Sequence, residues 1–466
     1  MAATINKKSL IKLIISTAIA FAVSQIPAPA GLEPVAMTFI GVFIWLILLM
    51  SLRIFPEYIS VLLTLFALLA FKVGSAEAVF SQFTSSTLWN IIAILALASA
   101  IQKTTVLTRV AMYVLKPFPA TYAGQVGAIM LASLAMSFVL PSIFAKIMIL
   151  APIALSICET AKFEKSSKPA AGLFCAIFVS SFFLSNFFTT GNSNVQVMFA
   201  FAKTPFTFFE WMKFTSVWMI IMTLGTYLFI VGFFGPKGKL DLSKDYIQRQ
   251  IEALPPMSAN DKKAAVILII SVILWMTESL HGISALAVTI LAYCAFTATG
   301  ISTPDEFKAK VDWTLVIVIG GILSVASFIS SLGIATYLSG TLGPVLAPIV
   351  SNKWFFIPVL TVLVFLSRYI IVSQIGTLTI FIAIFQALVV PLGYHPMVVV
   401  FCANMIIQLW ATNYNNVLIK PAYAMTKNRL VEHKDVAPMA YALFVLSIIA
   451  YAASIPLWTS MGMLAA

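Results

Sequence analysis

Residues 138–153 read FVLPSIFAKIMILAPI, and residues 362–381 read VLVFLSRYIIVSQIGTLTIF. Each stretch is apolar enough for a bilayer, and each carries one cation, Lys146 or Arg368. A centred Lys or Arg costs about 2.5–3.5 kcal/mol on insertion scales, so it is expected to face a cavity, a partner or a substrate. The sign of these two charges points to something negative as the protein's cargo.

Working outward, composition sets the class. With 61% hydrophobic residues, 9% charged residues and a mean hydropathy of +1.02, the chain departs from soluble domains, whose charged fraction is about 25%. An all-α polytopic membrane protein is expected. The net charge of +12 has a simpler origin in membrane topology than in nucleic-acid binding. Cys158, Cys175, Cys294 and Cys402 show neither paired nor metal-ligand spacing and read as buried apolar residues. At the N-terminus Lys7, Lys8 and Lys12 precede an apolar run that ends near Ala28-Pro29-Ala30. That run is long enough to remain as a first span rather than a cleaved leader.

Apolar stretches place about eleven spans, near 10–26, 34–52, 56–73, 88–115, 168–202, 211–234, 262–280, 283–300, 311–345, 395–424 and 438–463. Two more, 121–160 and 352–391, break in the middle with polar or proline-containing sequence and read as re-entrant helical hairpins. A cytoplasmic N-terminus puts most cations inside and only Lys72, Lys203, Lys213 and Lys353 outside, which leaves the C-terminus outside. The polar segment 235–261 connects two halves, and its Leu242, Tyr246, Ile247, Ile251 and Leu254 have the spacing of one face of an interfacial helix.

The halves resemble each other. After an N-terminal span (1–33), a repeat over 34–234 is followed by a second over 262–466. Phe83, Trp89, Ala111 and Tyr113 meet Phe307, Trp313, Ala335 and Tyr337 at a shift of 224, while Thr190 and Asn194 meet Thr412 and Asn416 at 222. Five spans per copy is an odd number, so the second copy is inverted, as in many secondary transporters. Both copies follow a hairpin with a span interrupted by polar residues, in FFLSNFFTTGNSNVQVM (182–198) and IIQLWATNYNNVLI (406–419). Unwound backbone at membrane depth is tolerated where it lines a substrate or ion site. Four elements are thus expected to converge on one site. Its candidates are Pro141, Ser142, Ile143, Lys146, Thr190, Gly191, Asn192, Asn194, Arg368, Ser373, Gln374, Gly376, Thr377, Thr412 and Asn413. All acidic residues lie in loops or near helix ends, and neither hairpin tip nor either interrupted span contains one, so the site suits an anion.

These motifs are similar to those of the divalent-anion:sodium symporters (DASS, INDY-type), and the resemblance runs over nearly the whole chain. The family's Ser-Asn-Thr hairpin signature is replaced here by Pro141-Ser142-Ile143-Phe144-Ala145-Lys146 and Ser373-Gln374-Ile375-Gly376-Thr377. Pro-Ser followed by a basic residue, and basic-Tyr shortly before Ser-Gln, resemble the bacterial citrate/succinate antiporters and the plastid 2-oxoglutarate/malate translocators. The resemblance implies sodium-independent exchange of di- or tricarboxylates. It also implies a homodimer with a fixed scaffold and a moving, elevator-like transport domain, embedded in a bacterial plasma membrane. Lys146 and Arg368 would then offset substrate charge where relatives use sodium. No metal site, cofactor or nucleic-acid partner is expected. A sodium-coupled symporter keeps the same fold and is the alternative. A membrane-embedded enzyme lacks a His/Asp/Glu constellation at membrane depth, and a passive channel would show neither saturation nor trans-stimulation.

Overall fold

The computed structural model describes residues 7–236, 248, 251–252, 254–371 and 373–464, all helices and connections with no strand among them. The first half contains α1 (Lys7–Ser24), α2 (Pro34–Ser51), α3 (Glu57–Ala70), α4 (Ser86–Ile101), α5 (Val106–Leu115), α6 (Tyr122–Ser137), α7 (Ile143–Thr160), α8 (Lys168–Phe178), α9 (Ser193–Ala202) and α10 (Phe208–Phe229). The second contains α11 (Ala259–Met276), α12 (Ala285–Ala298), α13 (Trp313–Ser331), α14 (Ile334–Val350), α15 (Lys353–Ser367), α16 (Gln374–Val389), α17 (Pro396–Ile407), α18 (Ile419–Met425) and α19 (His433–Ser460). Among the described residues, seven helical segments are long and apolar enough to cross a membrane, or eight if α4 and α5, bent by 76°, count as one span. Shorter apolar helices, among them α3, α6, α12, α15 and α17, complete the bundle.

Local chemistry sets the boundaries. Thr121, Ser142 and Ser373 cap α6, α7 and α16 by accepting from backbone N–H groups three residues on, which satisfies donors that a helix start leaves free. The 76° bend falls at 102–105, inside the polar interruption Ser99–Thr105. Asp261 holds it from outside, its carboxylate accepting from Thr105 N at 2.7 Å, while Lys103 pairs with Glu306 at 2.6 Å. In the second half the span expected at 311–345 is two helices, divided at Gly333, whose φ of 71° suits glycine. α14 then runs on to Val350.

The expected hairpins are α6–α7 and α15–α16, and the interrupted spans are α8–α9 and α17–α18. Downstream of α8 the chain passes through a π turn (Val179–Phe183) and a 3₁₀ turn (Leu184–Phe187) before it unwinds, the kind of irregularity that recurs at functional sites. Each hairpin packs on the first half of its own interrupted span, α6 and α7 on α8 and both α15 and α16 on α17. The second halves cross over, α9 onto α17 and α18 onto α7. Two unwound segments are thereby interlocked through a shared core in which Phe178 meets Trp410 edge to face and Phe174 meets Tyr423.

Two expectations need adjustment. Cys158, Cys175 and Cys402 are buried, but Cys294 is exposed on α12, on an outward helix face with Ile290 and Leu291 that a bilayer suits. The interfacial-helix residues Leu242, Tyr246 and Ile247 lie outside the described residues, as does most of 237–250.

Candidate functional site

In the first half the chain reverses at 138–142, where Pro141 is buried and Ser142 caps α7. Ile143 opens α7 and packs, partly buried, against the core. One turn into α7 the Lys146 side chain is fully buried. Its ammonium donates to Ser137 Oγ at 2.8 Å and to the Gly191 carbonyl at 2.9 Å. Lysine thus bridges both arms of the hairpin to the unwound segment beside it. Thr190 adds a second tie, its hydroxyl donating to the Phe138 carbonyl at 2.6 Å. Gly191 is required by space, since a Cβ there would stand 2.3 Å from the Ser185 carbonyl oxygen and 3.1 Å from Ser137 Cβ. Asn192 caps α9 by accepting from Asn194 N at 3.0 Å and donates to the Phe182 carbonyl at 2.9 Å. Asn194 donates to Asn186 Oδ1 at 3.3 Å.

The second half repeats the plan with different parts. Arg368 follows directly on α15 and is 1% exposed. Its Nη1 donates to the Ile371 carbonyl at 2.6 Å, the Ser373 carbonyl at 3.0 Å and Thr377 Oγ1 at 3.1 Å. Its Nη2 donates to the Asn415 carbonyl in the unwound segment. Ser373 caps α16 through Gly376 N at 3.1 Å, and a Cβ on Gly376 would come within 3.3 Å of that serine. Gln374 donates to the Ile407 carbonyl at 3.1 Å. Asn416 donates to the Gln408 carbonyl at 2.6 Å and accepts from Leu418 N at 2.8 Å.

Hydrogen-bond roles realign the two copies. Asn192 and Asn416 each accept from the backbone N–H two residues on and donate to a carbonyl upstream, so their roles correspond at a shift of 224 rather than the 222 that pairs Thr190 with Thr412. The 224 shift also matches Phe83 with Phe307, although the capping serines Ser142 and Ser373 stand 231 apart. The carbonyls that hold the cations follow the 224 shift, because Lys146 binds the one before Asn192 and Arg368 the one before Asn416, although the cations themselves stand 222 apart. Lys146 reaches from the second arm of its hairpin and Arg368 from the end of the first, a difference that comparison of the motifs alone also gives.

Not every candidate joins this arrangement. Thr412 holds a buried hydroxyl without a described partner, and Asn413 is exposed. Ser137, Asn415 and Asn416 stand closer to the cations' chemistry. Two further residues enter from far along the chain: Glu57 Oε1 accepts from Ser373 Oγ at 3.2 Å, and Arg53 donates to the Tyr414 carbonyl at 3.2 Å. A carboxylate therefore does reach a hairpin tip, although none lies in the tip's own sequence. A cavity of about 730 Å³ opens beside the second hairpin, lined by Phe201, Lys203, Ser330, Ser339, Thr379 and Gln386 among others. It touches neither Lys146 nor Arg368, and it meets the hairpins and interrupted spans along α16, at the end of α9 and at Pro396 of α17.

Comparison with known proteins adds to this geometry. The transmembrane region of the sodium:sulfate symporter family matches residues 7–464. Inner membrane protein YbhI of Escherichia coli is 26% identical over 350 residues, 72% of this chain and 73% of that protein. Dicarboxylate transporter 1, chloroplastic, of Spinacia oleracea is 23% identical over 395 residues, 82% and 69% respectively. The putative malate transporter YflS of Bacillus subtilis is 22% identical over 352 residues, 72% of each. Among solved structures, the YdaH transporter of Alcanivorax borkumensis superposes with a TM-score of 0.56 over 97% of both chains at 10% identity, a likeness of fold alone.

Proposed function

The chain belongs to the sodium:sulfate symporter family, the divalent-anion:sodium symporters, and from that premise we propose that it exchanges di- or tricarboxylates across the membrane without sodium. One observation carries the proposal. The Gly191 and Asn415 carbonyls, freed where the two spans unwind, each accept from a fixed side-chain cation. In broken-helix transporters such carbonyls commonly ligate the coupling cation. Here a lysine amine and a guanidinium stand against them, so side chains of the protein occupy the carbonyls that a coupling sodium would otherwise use. At about 8 Å and an effective dielectric near 20, each fixed cation stabilises a unit negative charge by roughly 2 kcal/mol before desolvation.

The anion would sit between the hairpin tips and the unwound segments. Helix N-termini there favour negative charge, and the Ser142, Ser373, Thr377, Asn192 and Asn194 side chains surround them. The buried cations act through their field more than by contact, since Lys146 is fully buried and two of its three N–H groups already have acceptors. Dicarboxylate and malate in the names of two relatives support carboxylates over sulfate. Movement follows an elevator, with the hairpins and interrupted spans as one body and α2, α3, α11 and α12 in the scaffold of a homodimer. The N-terminus is inside and the C-terminus outside a bacterial plasma membrane.

A sodium-coupled symporter is the second reading. It draws on buried oxygens of the second unwound segment without described partners, Asn415 Oδ1, Thr412 Oγ1 and Gln408 Oε1. Substrate class is tested by counterflow: vesicles loaded with unlabelled malate, succinate, citrate or sulfate are offered labelled succinate. The proposal expects accumulation against carboxylates only. Accumulation driven by sulfate alone would remove the carboxylate assignment.

A further inference from the structure

We propose that Glu57 is a built-in substitute for the substrate's carboxylate: it occupies Ser373 while the carrier is empty, a bound anion displaces it, and the empty carrier is thereby kept from crossing. The inference rests on the carboxylate-exchange reading and adds a residue outside the hairpins and interrupted spans to it.

The chemistry of Ser373 comes first. Its oxygen accepts from Gly376 N, so its own proton remains free, and that proton goes to Glu57 Oε1 at 3.2 Å. The carboxylate lies at the N-terminus of α16, a helix of 16 residues, beside a guanidinium that binds the carbonyl of the same serine. Helix dipole, hydroxyl and cation are what an incoming carboxylate would seek. In the first hairpin no described hydrogen bond has Ser142 as donor.

The origin of Glu57 gives the contact its meaning. It opens α3, 316 positions before Ser373, across a five-residue turn from α2. Just past the end of α2, Arg53 lies in the left-handed region at φ 49° and Ile54 N donates back to the Leu49 carbonyl, a closure that reverses the chain sharply. The same turn lets Arg53 reach Tyr414 in the second unwound segment. One scaffold turn thus grips both the hairpin and the interrupted span of the second half. Arg53 and Glu57 are exposed, as is Ile370 at 83% on the hairpin tip, while Ser373 is buried, so an anion would approach the contact from the Glu57 side.

The corresponding turn of the other copy, 277–284 between α11 and α12, keeps its bonds to itself: His281 to the Leu274 carbonyl and Glu278 to Ala285 N. Among the described hydrogen bonds none joins it to the first hairpin tip. Docking on one side only is the arrangement that a contact made in one end state of an alternating-access cycle would leave.

The test labels Leu62→Cys on α3 and Ile370→Cys on the hairpin tip, in a Cys294→Ser background, and reads the spin-label distance in lipid with no anion and with saturating succinate. Unloaded wild type should give one distance and gain a second with succinate. Glu57→Ala should show both without any anion, and its uptake into vesicles lacking internal anion should rise at least tenfold. Glu57→Gln, which keeps the shape and an acceptor oxygen, should lie between them and stands in if Glu57→Ala does not assemble. Unloaded distributions of the Glu57 variants identical to wild type overturn the latch. Wild-type uptake that needs no internal anion overturns the exchange reading instead, and the unloaded distance comparison still decides the role of Glu57.

Discussion

The Lys146 ammonium holds the Gly191 carbonyl at 2.9 Å, so a charge on the first hairpin is tied to the backbone of the span beside it. Both partners are buried, and the lysine has no described carboxylate to neutralise it. Burying an ammonium costs several kcal/mol that hydrogen bonds only partly offset. Under exchange the missing compensation is the substrate's.

Replacing Lys146 by Met removes two charge-assisted hydrogen bonds, each worth roughly 1.5–3 kcal/mol, but also relieves the burial of a charge. The two effects oppose, so the melting temperature should shift by only a few degrees. Transport should instead fall at least tenfold, because the field over the site is lost. Vesicle uptake and thermal denaturation of the same preparation separate the two; a large loss of stability with unchanged uptake would make the lysine purely structural.

Arg368→Lys keeps the charge and discards the fork. A lysine cannot reach Ile371, Ser373 and Thr377 on one side and Asn415 on the other, as the two guanidinium nitrogens do. Exchange should drop at least tenfold, with the larger change in the KM for succinate. Wild-type kinetics would show that charge alone matters at this position.

Gly191→Ala should abolish transport, since its methyl would meet the Ser185 carbonyl at 2.3 Å and push the unwound segment off Lys146. Gly343→Ala, with nothing within 4 Å of the added carbon, should transport normally and be unchanged or slightly more stable. Uptake normalised to reconstituted protein checks the pair.

The bend between α4 and α5 is braced by Asp261 on Thr105 N at 2.7 Å. Asp261→Asn weakens that brace without touching the site. If the bend is a hinge, kcat should change severalfold while KM stays within about twofold; equal changes in both would place the effect at the site.

Much of this was legible in the sequence. Apolar runs and their polar breaks locate both hairpins and both interrupted spans, because unwound backbone at membrane depth needs the hydroxyls and amides that mark it. Lys146 and Arg368 stand out because a buried charge is so expensive there. Hydrogen-bond roles were less legible. Sparse identity aligned Thr190 with Thr412, whereas the bonds of Asn192 and Asn416 set the offset. Glu57 was hidden for a different reason: as the first residue of a helix it looks like an ordinary favourable charge at a helix start, and only the fold brings it to Ser373.

The most direct measurement is labelled succinate uptake into vesicles, with internal dicarboxylate present or absent and external sodium present or replaced by choline. Uptake should require the internal dicarboxylate and be the same with sodium or choline. Robust uptake into empty vesicles that depends on sodium would contradict the account and assign the positive charge at this site to a transported ion rather than to Lys146 and Arg368.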